Sequence, residues 1–196
     1  MQPCVTGEIT TYECMPLTDR TTLLPIDIVT PENCNGVIGM TYCPGRKVSY
    51  AIGIDWDRDL EIDLQVIRDW GAGTLVSLME KDEMEFFGVA GIPAIATRLG
   101  MEHLHLPIVD MDIPDHHFER QWEIAGDKLR NVLLSGGLIV IHCLGGYGRT
   151  GTIAGRLLVE LGTDPETAIQ RIRQARPGTI QTIQQETYVR CCKKVR

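Results

Sequence analysis

The residues best suited to chemistry lie in segment 142–151, which reads HCLGGYGRTG. Five residues, three of them glycine, separate Cys143 from Arg149, and Thr150 follows directly. A thiolate is a strong nucleophile, and a guanidinium can hold two oxygens of one phosphate at once. The spacing therefore predicts attack by Cys143 on an oxyanion that Arg149 binds.

An apolar run precedes this segment and a helical pattern follows it. Residues 138–141 are typical of a buried strand, and the helical pattern begins near Arg149. A strand, a glycine-rich loop and a helix N-terminus in this order direct backbone N–H groups at one spot, where an anion binds. We expect His142 to orient the loop through hydrogen bonds and not to transfer a proton. The residues predicted to surround the anion are His142, Leu144, Gly145, Gly146, Tyr147 and Gly148.

A second group must protonate the leaving oxygen of a phosphate ester, and three carboxylates after a predicted strand compete for this role. Asp110 follows the strand end directly and is the preferred candidate. Asp115 follows Pro114 at the start of a helical pattern, so it is a better helix N-cap. Asp112 would serve only if the loop bends further. The Thr150 hydroxyl is expected to donate a hydrogen bond to the sulfur and help it leave in a second step.

The same cysteine-to-arginine spacing occurs once more, between Cys14 and Arg20, with Thr21 following. This copy has no glycine, no apolar strand before it, and an aspartate, Asp19, where it would repel phosphate. We therefore predict that Cys14 has no catalytic role.

Four histidines lie near the acidic loop, but their spacing is not that of a zinc site. Two of them alternate on one predicted strand and two begin a helix, so we expect neither a metal nor a cofactor. These histidines are His103, His105, His116 and His117.

The 142–151 segment resembles the signature of the cysteine-dependent dual-specificity protein phosphatases, in particular the cyclin-dependent-kinase-associated group. Residues 107–110 with Pro114 and Asp115 are similar to the general-acid loop of that group. Residues 178–185 are similar to its glutamine segment, and residues 24–45 to its first strands.

This resemblance implies hydrolysis of phosphotyrosine, phosphoserine or phosphothreonine in proteins through a phosphocysteine intermediate. Cys143 would attack phosphorus while Arg149 holds the phosphate oxygens, and Asp110 would act first as acid and then as base. Gln181 or Gln185 would position the hydrolytic water, and Gln181 is the better candidate. The implied partner is a phosphorylated protein or peptide.

Three other functions also fit a cysteine in an anion-binding loop. A non-protein phosphate, such as a phosphoinositide or an RNA 5′ end, is disfavoured because residues 144–148 contain no lysine. Sulfur transfer needs neither Asp110 nor the Arg149–Thr150 pair. A non-catalytic phosphoprotein-binding module usually lacks one of the three central residues, and all three are present here.

Strands alternate with helices along the chain, which predicts an α/β fold with a mostly parallel central sheet flanked by helices on both faces. The resemblance implies the protein tyrosine phosphatase-like form of this fold. Residues 21–196 are predicted to form a single phosphatase domain, and residues 1–20 a loosely held arm. The predicted strands are 23–29, 37–42, 74–79, 102–108 and 138–141, and the predicted helices are 59–70, 92–99, 114–134, 149–161, 164–176 and 181–196.

Composition restricts the function further. A net charge of −7 argues against nucleic acid as a partner, and no stretch approaches the ~20 apolar residues of a membrane span. Seven cysteines without framework spacing predict reduced thiols in a cytoplasmic protein. The basic residues of the C-terminal helices are expected to form a solvated face; they are Arg171, Arg173, Arg176, Arg190, Lys193, Lys194 and Arg196.

Overall fold

The computed structural model describes residues 23–32, 34–49 and 55–195. Its main sheet contains β1 (Asp27–Val29), β2 (Val37–Thr41), β5 (Thr74–Ser77), β6 (Glu102–His105) and β7 (Leu138–His142). The spatial order is β1-β2-β7-β5-β6, in which β1 runs antiparallel to β2 and the other neighbours are parallel. The last of these strands in sequence, β7, therefore lies at the centre. The predicted α/β fold with a mostly parallel sheet is confirmed.

Seven helices flank the sheet among the described residues. They are α1 (Leu60–Asp69), α2 (Lys81–Phe86), α3 (Ile92–Arg98), α4 (His116–Leu134), α5 (Gly148–Glu160), α6 (Pro165–Ala175) and α7 (Ile183–Cys191). The Asp115 carboxylate accepts a hydrogen bond from the N–H of Phe118 at 2.7 Å, so Asp115 is the predicted N-cap of α4.

The alternation of side chains along β7 gives each face of the sheet its own apolar core. Ile139 and Ile141 join a cluster with residues of α4, α5, α6 and α7. Val140 points the other way, into a cluster with residues of α1, α2 and α3. Because both faces of β7 are buried, its first four residues, 138–141, are all apolar instead of alternating with polar ones.

Four features differ from the sequence predictions. Helix α2 was not predicted, and neither was the antiparallel hairpin of β3 (Lys47–Ser49) and β4 (Asp55–Asp57). Helix α7 ends at Cys191 and not at the end of the chain, and β1 and β6 are shorter than predicted. The predicted arm and the Cys14 segment lie outside the described residues.

Candidate active site

The Cys143 loop, residues 143–148, joins the central strand β7 to helix α5. Cys143 is buried, and its Sγ accepts a hydrogen bond from the backbone N–H of Gly146 at 3.2 Å. The positive end of the α5 dipole lies at the same place, and both features stabilise negative charge. The loop therefore offers a sulfur nucleophile and an anion site together.

Contacts with the end of β2 fix the path of this loop. Gly146 has a φ of +73°, and a Cβ there would lie 2.3 Å from the carbonyl oxygen of Thr41, so only glycine fits. The N–H of Cys43 donates to the carbonyl of Leu144 at 3.1 Å. The curl of the loop thus depends on the pairing of β2 with β7.

His142 is fully buried and ties the loop to β5. Its Nε2 lies 2.6 Å from Ser77 Oγ, which lies 2.8 Å from His103 Nε2, and its Nδ1 lies 3.3 Å from the carbonyl of Cys143. Burial lowers the pKa of His142 to about 3, so the ring is neutral at pH 7. Because each contact needs one donor, His142 Nδ1–H donates to the carbonyl of Cys143 and the Ser77 hydroxyl donates to His142 Nε2. His103 Nε2–H then donates to Ser77 Oγ.

Arg149, in the first turn of α5, is buried with 1% of its surface exposed. Its Nη1 donates to Glu83 Oε2 at 2.6 Å and to the carbonyl of Ile108 at 3.0 Å, and its Nη2 donates to Glu83 Oε1 at 3.0 Å. Nη2 also lies 2.9 Å from Asp110 Oδ1. Burial alone would lower the pKa of Arg149, but the hydrogen bonds with Glu83 and the nearby Cys143 and Asp110 outweigh it and raise the pKa.

Sequence reasoning missed Glu83, which lies on the unpredicted helix α2. Glu80 and Glu83 form a capping box, in which the N–H of Glu80 donates to Glu83 Oε2 at 2.8 Å. This box fixes the carboxylate that in turn orients the fork of Arg149. The Glu-x-x-Glu spacing before Met84 was the available signal.

Two buried donors at the start of α5 have no hydrogen-bond partner among the described residues: Arg149 Nε and Thr150 Oγ1. The expected hydrogen bond from Thr150 to Cys143 is therefore not formed in this structure. An unpartnered buried donor costs about 1–3 kcal/mol, so an anion bound beside Cys143 would recover that free energy.

Of the candidate acids, Asp110 lies at the guanidinium and Asp112 does not. The Asp112 carboxylate accepts a hydrogen bond from the N–H of the next residue, Ile113, at 2.8 Å and so stabilises the local turn. Between the two, Met111 has a left-handed φ of 62°, a conformation that costs about 1–2 kcal/mol in a residue with a Cβ. The Asp110 and Asp112 carboxylates, on either side of this turn, therefore have different partners: Arg149 for Asp110 and the N–H of Ile113 for Asp112.

The two candidate glutamines occupy different environments. Gln185 is buried; its Oε1 accepts hydrogen bonds from the N–H groups of Gln181 and Thr182, and its Nε2 donates to the carbonyl of Asp112 at 3.1 Å. Gln181 is exposed, and its Oε1 would lie 2.9 Å from a Cβ at Gly148. Both amides border the Cys143 loop, since Gln185 Nε2 would also lie 2.9 Å from a Cβ at Gly148, and Gln185 in addition holds the acid loop.

The expectation that the C-terminal basic residues form a solvated face is wrong for Arg176. This residue is buried and donates hydrogen bonds to two carbonyls of the Cys143 loop, those of Gly145 and Gly146. Arg176 is buried because its guanidinium supplies the hydrogen-bond donors for these two backbone carbonyls. Three other arginines of the run pair with glutamates, namely Arg171, Arg173 and Arg190.

Within the described residues, no group of three or more His, Cys, Asp or Glu side chains is arranged to hold a metal ion. The rings of His103 and His105 stack with centroids 6.3 Å apart on β6. No helix in this part of the chain is both long and apolar enough to cross a membrane.

Solved structures that superpose on this chain include phosphatases. Kinase associated phosphatase (KAP), in a form whose catalytic cysteine is replaced by serine, superposes with a TM-score of 0.76 at 25% identity, covering 86% of this chain and 93% of KAP. Tk-PTP in its active form superposes with a TM-score of 0.60 at 23% identity, covering 78% of this chain and 88% of that protein. PTPMT1 in complex with PI(5)P shares the fold, with a TM-score of 0.59 at 17% identity over 84% of this chain and 92% of that one.

The sequence comparisons agree with the structural ones. Cyclin-dependent kinase inhibitor 3 of Homo sapiens is 28% identical over 94% of this chain and 85% of its own length. The Rattus norvegicus protein is 29% identical over 80% of this chain and 72% of its own. Residues 54–163, more than half of the chain, match the family described as "Polymorphic toxin system, DSP-PTPase phosphatase", and the chain belongs to it. The protein is a hydrolase of the dual-specificity, protein tyrosine phosphatase type.

Proposed function

We propose that this phosphatase removes phosphate from phosphorylated proteins through a covalent intermediate on Cys143. One observation carries the proposal. Cys143 Sγ accepts a hydrogen bond at the N-terminus of α5, and Arg149 Nε and Thr150 Oγ1 are buried there without partners. A phosphate in this place would receive donors from the side chains and from the loop amides, while the sulfur faces phosphorus.

In the first step, the Cys143 thiolate forms a bond to phosphorus and the bond to the leaving oxygen breaks. Asp110 gives its proton to that oxygen, so an alcohol or phenol departs and Asp110 becomes a carboxylate. The 2.9 Å contact between Asp110 and Arg149 Nη2 keeps this acid within reach of the group that binds phosphate. Glu83 holds the guanidinium fork in one orientation for both steps.

In the second step, water attacks the phosphocysteine and the Asp110 carboxylate takes its proton. The phosphorus–sulfur bond breaks, which restores the thiolate and releases inorganic phosphate. Both glutamine amides border Gly148, but the amide of Gln185 is bonded to backbone on both sides, so Gln181 is our candidate for positioning the water. Thr150 would donate its unpartnered hydroxyl to the departing sulfur.

The surroundings favour a protein substrate over a polyphosphorylated one. The loop between Cys143 and Arg149 contributes no charged side chain, and the exposed Asp110 carboxylate lies 2.9 Å from Arg149 Nη2. A second phosphate on the same ligand would meet this carboxylate and no cation from the loop. A single phosphate on a protein side chain meets no such repulsion.

The test is phosphate release from para-nitrophenyl phosphate, from phosphotyrosine, phosphoserine and phosphothreonine peptides, and from a soluble phosphoinositide. Wild type should release phosphate from the peptides, and Cys143→Ser should lower the rate by at least about 10⁴-fold while retaining vanadate binding. Cys191→Ser is the matched control, because that thiol is exposed at the end of α7. Undiminished turnover by Cys143→Ser would refute the mechanism, and a preference for the phosphoinositide would refute the substrate class.

A further inference from the structure

Arg176 lies directly behind the Cys143 loop, on the side away from the sulfur. Its Nε donates to the carbonyl of Gly146 at 2.7 Å, and its Nη2 donates to the carbonyl of Gly145 at 3.1 Å. Its Nη1 donates to Asp27 Oδ2 at 2.5 Å, and its guanidinium carbon lies 4.4 Å from the centre of the Tyr147 ring. All three nitrogens of this buried side chain are therefore engaged.

The contact with Gly145 acts on the sulfur through a single peptide unit. The carbonyl of Gly145 and the N–H of Gly146 belong to the same planar trans peptide, so they point in opposite directions. The carbonyl accepts from Arg176, while the N–H donates to Cys143 Sγ at 3.2 Å. The dipole of this peptide thus lies between the Arg176 guanidinium and the Cys143 sulfur, with its positive end toward the sulfur.

The contact with Gly146 acts in the same way on the next peptide unit. Its carbonyl accepts from Arg176 Nε, so the N–H of Tyr147 in the same unit points to the opposite side. Without a donor behind the loop, either carbonyl could rotate inward and place a negative oxygen where an anion should bind. Glycines at these positions make such a rotation easy, because they permit φ values of either sign.

The place of Arg176 in the fold explains how it reaches the loop. Helix α6 ends at Ala175, and Arg176 has extended dihedrals, with φ of −139° and ψ of 94°. Asp27 on β1 accepts from the guanidinium and Tyr147 covers one of its faces. Three elements, namely β1, the end of α6 and the loop, thus fix the fork.

We propose that Arg176 is a positioning residue that keeps two carbonyls of the Cys143 loop turned out of the anion site and stabilises the Cys143 thiolate through the peptide between them. The role rests on the proposed function, in which Cys143 is the nucleophile.

The test uses Arg176→Met, Arg176→Lys and, as the matched control, Arg171→Met. Arg171 lies on α6, five residues before Arg176. Like Arg176 it donates to a backbone carbonyl, that of Thr30, and to a carboxylate, that of Glu32, but it does not touch the loop. Two quantities are measured: the pH midpoint of Cys143 alkylation by iodoacetamide, followed by mass spectrometry, and the dissociation constant of vanadate.

Arg176→Met should raise the alkylation midpoint by about one pH unit and weaken vanadate binding about tenfold, whereas Arg171→Met should change neither. Arg176→Lys keeps the charge but not the fork, so it should restore most of the midpoint and less of the vanadate affinity. The other titratable or charged groups around Cys143 are unchanged in every variant. Arg149, Cys43 and His142 are next to it, and Glu83 and Asp110 contact Arg149.

Asp27→Asn separates an electrostatic role from a merely structural one. Removing this carboxylate leaves Arg176 without its counter-charge, so the alkylation midpoint should fall, opposite in sign to the effect of Arg176→Met. Shifts of the same sign in both folded variants, or no shift in either, would overturn the proposal. Since neither readout needs turnover, failure of the proposed function would appear separately, as absent phosphate release by wild type.

Discussion

Helix α5 carries two arginines, one fully buried and the other with 12% of its side chain exposed, and their surroundings differ. Near the N-terminus, Arg149 binds Glu83 and Asp110 but leaves its Nε without a partner among the described residues. Two turns later, Arg156 binds Glu119 and Glu160, and it packs against the rings of Trp122 and Tyr188.

The difference separates an arginine that binds a ligand from one that stabilises the fold. No buried atom of Arg156 lacks a hydrogen-bond partner in the described part of the chain, since carboxylates and aromatic rings surround it. A structural cation is satisfied in this way because an unpaired buried charge is costly. Arg149 has the same carboxylate support, but its Nε has no partner among the described residues, and it lies in the first turn of α5, the end of a helix where anions bind.

The largest expected effect is that of Arg149→Lys on catalysis. An ammonium group cannot hold two phosphate oxygens and Glu83 at the same time, so kcat/KM for para-nitrophenyl phosphate should fall about 10³-fold. Arg156→Lys is the paired control and should change kcat/KM by less than about fivefold, because Arg156 contacts Glu119 and Glu160 and none of the reacting groups. Equal losses in the two variants would remove the distinction between these arginines.

The acid assignment predicts a loss that depends on the leaving group. Asp110→Asn should lower kcat about 10²–10³-fold for a phosphoserine peptide, whose alkoxide leaves poorly, and less for para-nitrophenyl phosphate. Asp115→Asn should show no such dependence, because Asp115 caps α4. If Asp112→Asn shows the leaving-group dependence in place of Asp110→Asn, the assignment is wrong.

Two turns further along α5, Arg156→Met should lower the free energy of unfolding without lowering the rate of phosphate release. It would remove the cation beside the part-exposed Glu119, while Glu160 keeps its pair with Arg130, so the loss of unfolding free energy should be about 1–3 kcal/mol. Urea denaturation measures this loss of unfolding free energy, and kcat/KM at 25 °C should remain near that of wild type. A variant of full stability would show that the Arg156 cluster contributes little to folding.

The smallest effect concerns His142, which adjoins Cys143 but is fully bonded like Arg156. Burial lowers its pKa from 6.5 to about 3, so the unfolded chain binds a proton that the folded chain excludes. The contribution of His142 to the free energy of unfolding is therefore fully present above pH 6.5. It declines as the pH falls toward 3, by up to about 1.4 kcal/mol per pH unit. Urea titrations at pH 7 and 5 should show this decline, and His142→Asn should reduce it while the exposed-residue control His117→Asn does not.

The strand, loop and helix around Cys143 were predictable because their signals are local. Residues 138–141 form an apolar run, the glycines follow, and the helix begins within a residue of its predicted start at Arg149. The preferred acid, Asp110, was chosen by its place after a strand, and the structure places its carboxylate at Arg149. Its role as acid stays a prediction.

The supporting residues were not predictable because they act across long stretches of sequence. Glu83 lies on a six-residue helix without apolar periodicity, and its target is 66 residues away. Arg176 was assigned to a solvated basic face, because its charge does not reveal that it donates hydrogen bonds to the carbonyls of Gly145 and Gly146. The hairpin of β3 and β4 is short and packs outside the main sheet, so it left no clear pattern either.

The central position of β7 has a consequence for how the molecule is made. Residues 138–142 lie between β2 and β5, which are not hydrogen-bonded to each other. During synthesis the first strands emerge early but stay in two separate groups, β1 with β2 and β5 with β6, until β7 joins them. Closing such distant pairings is slow, so a nascent chain exposes unpaired strand edges for most of its synthesis. A truncated product that ends before residue 138 has neither a complete sheet nor Cys143, and it is a natural substrate for chaperones and proteases.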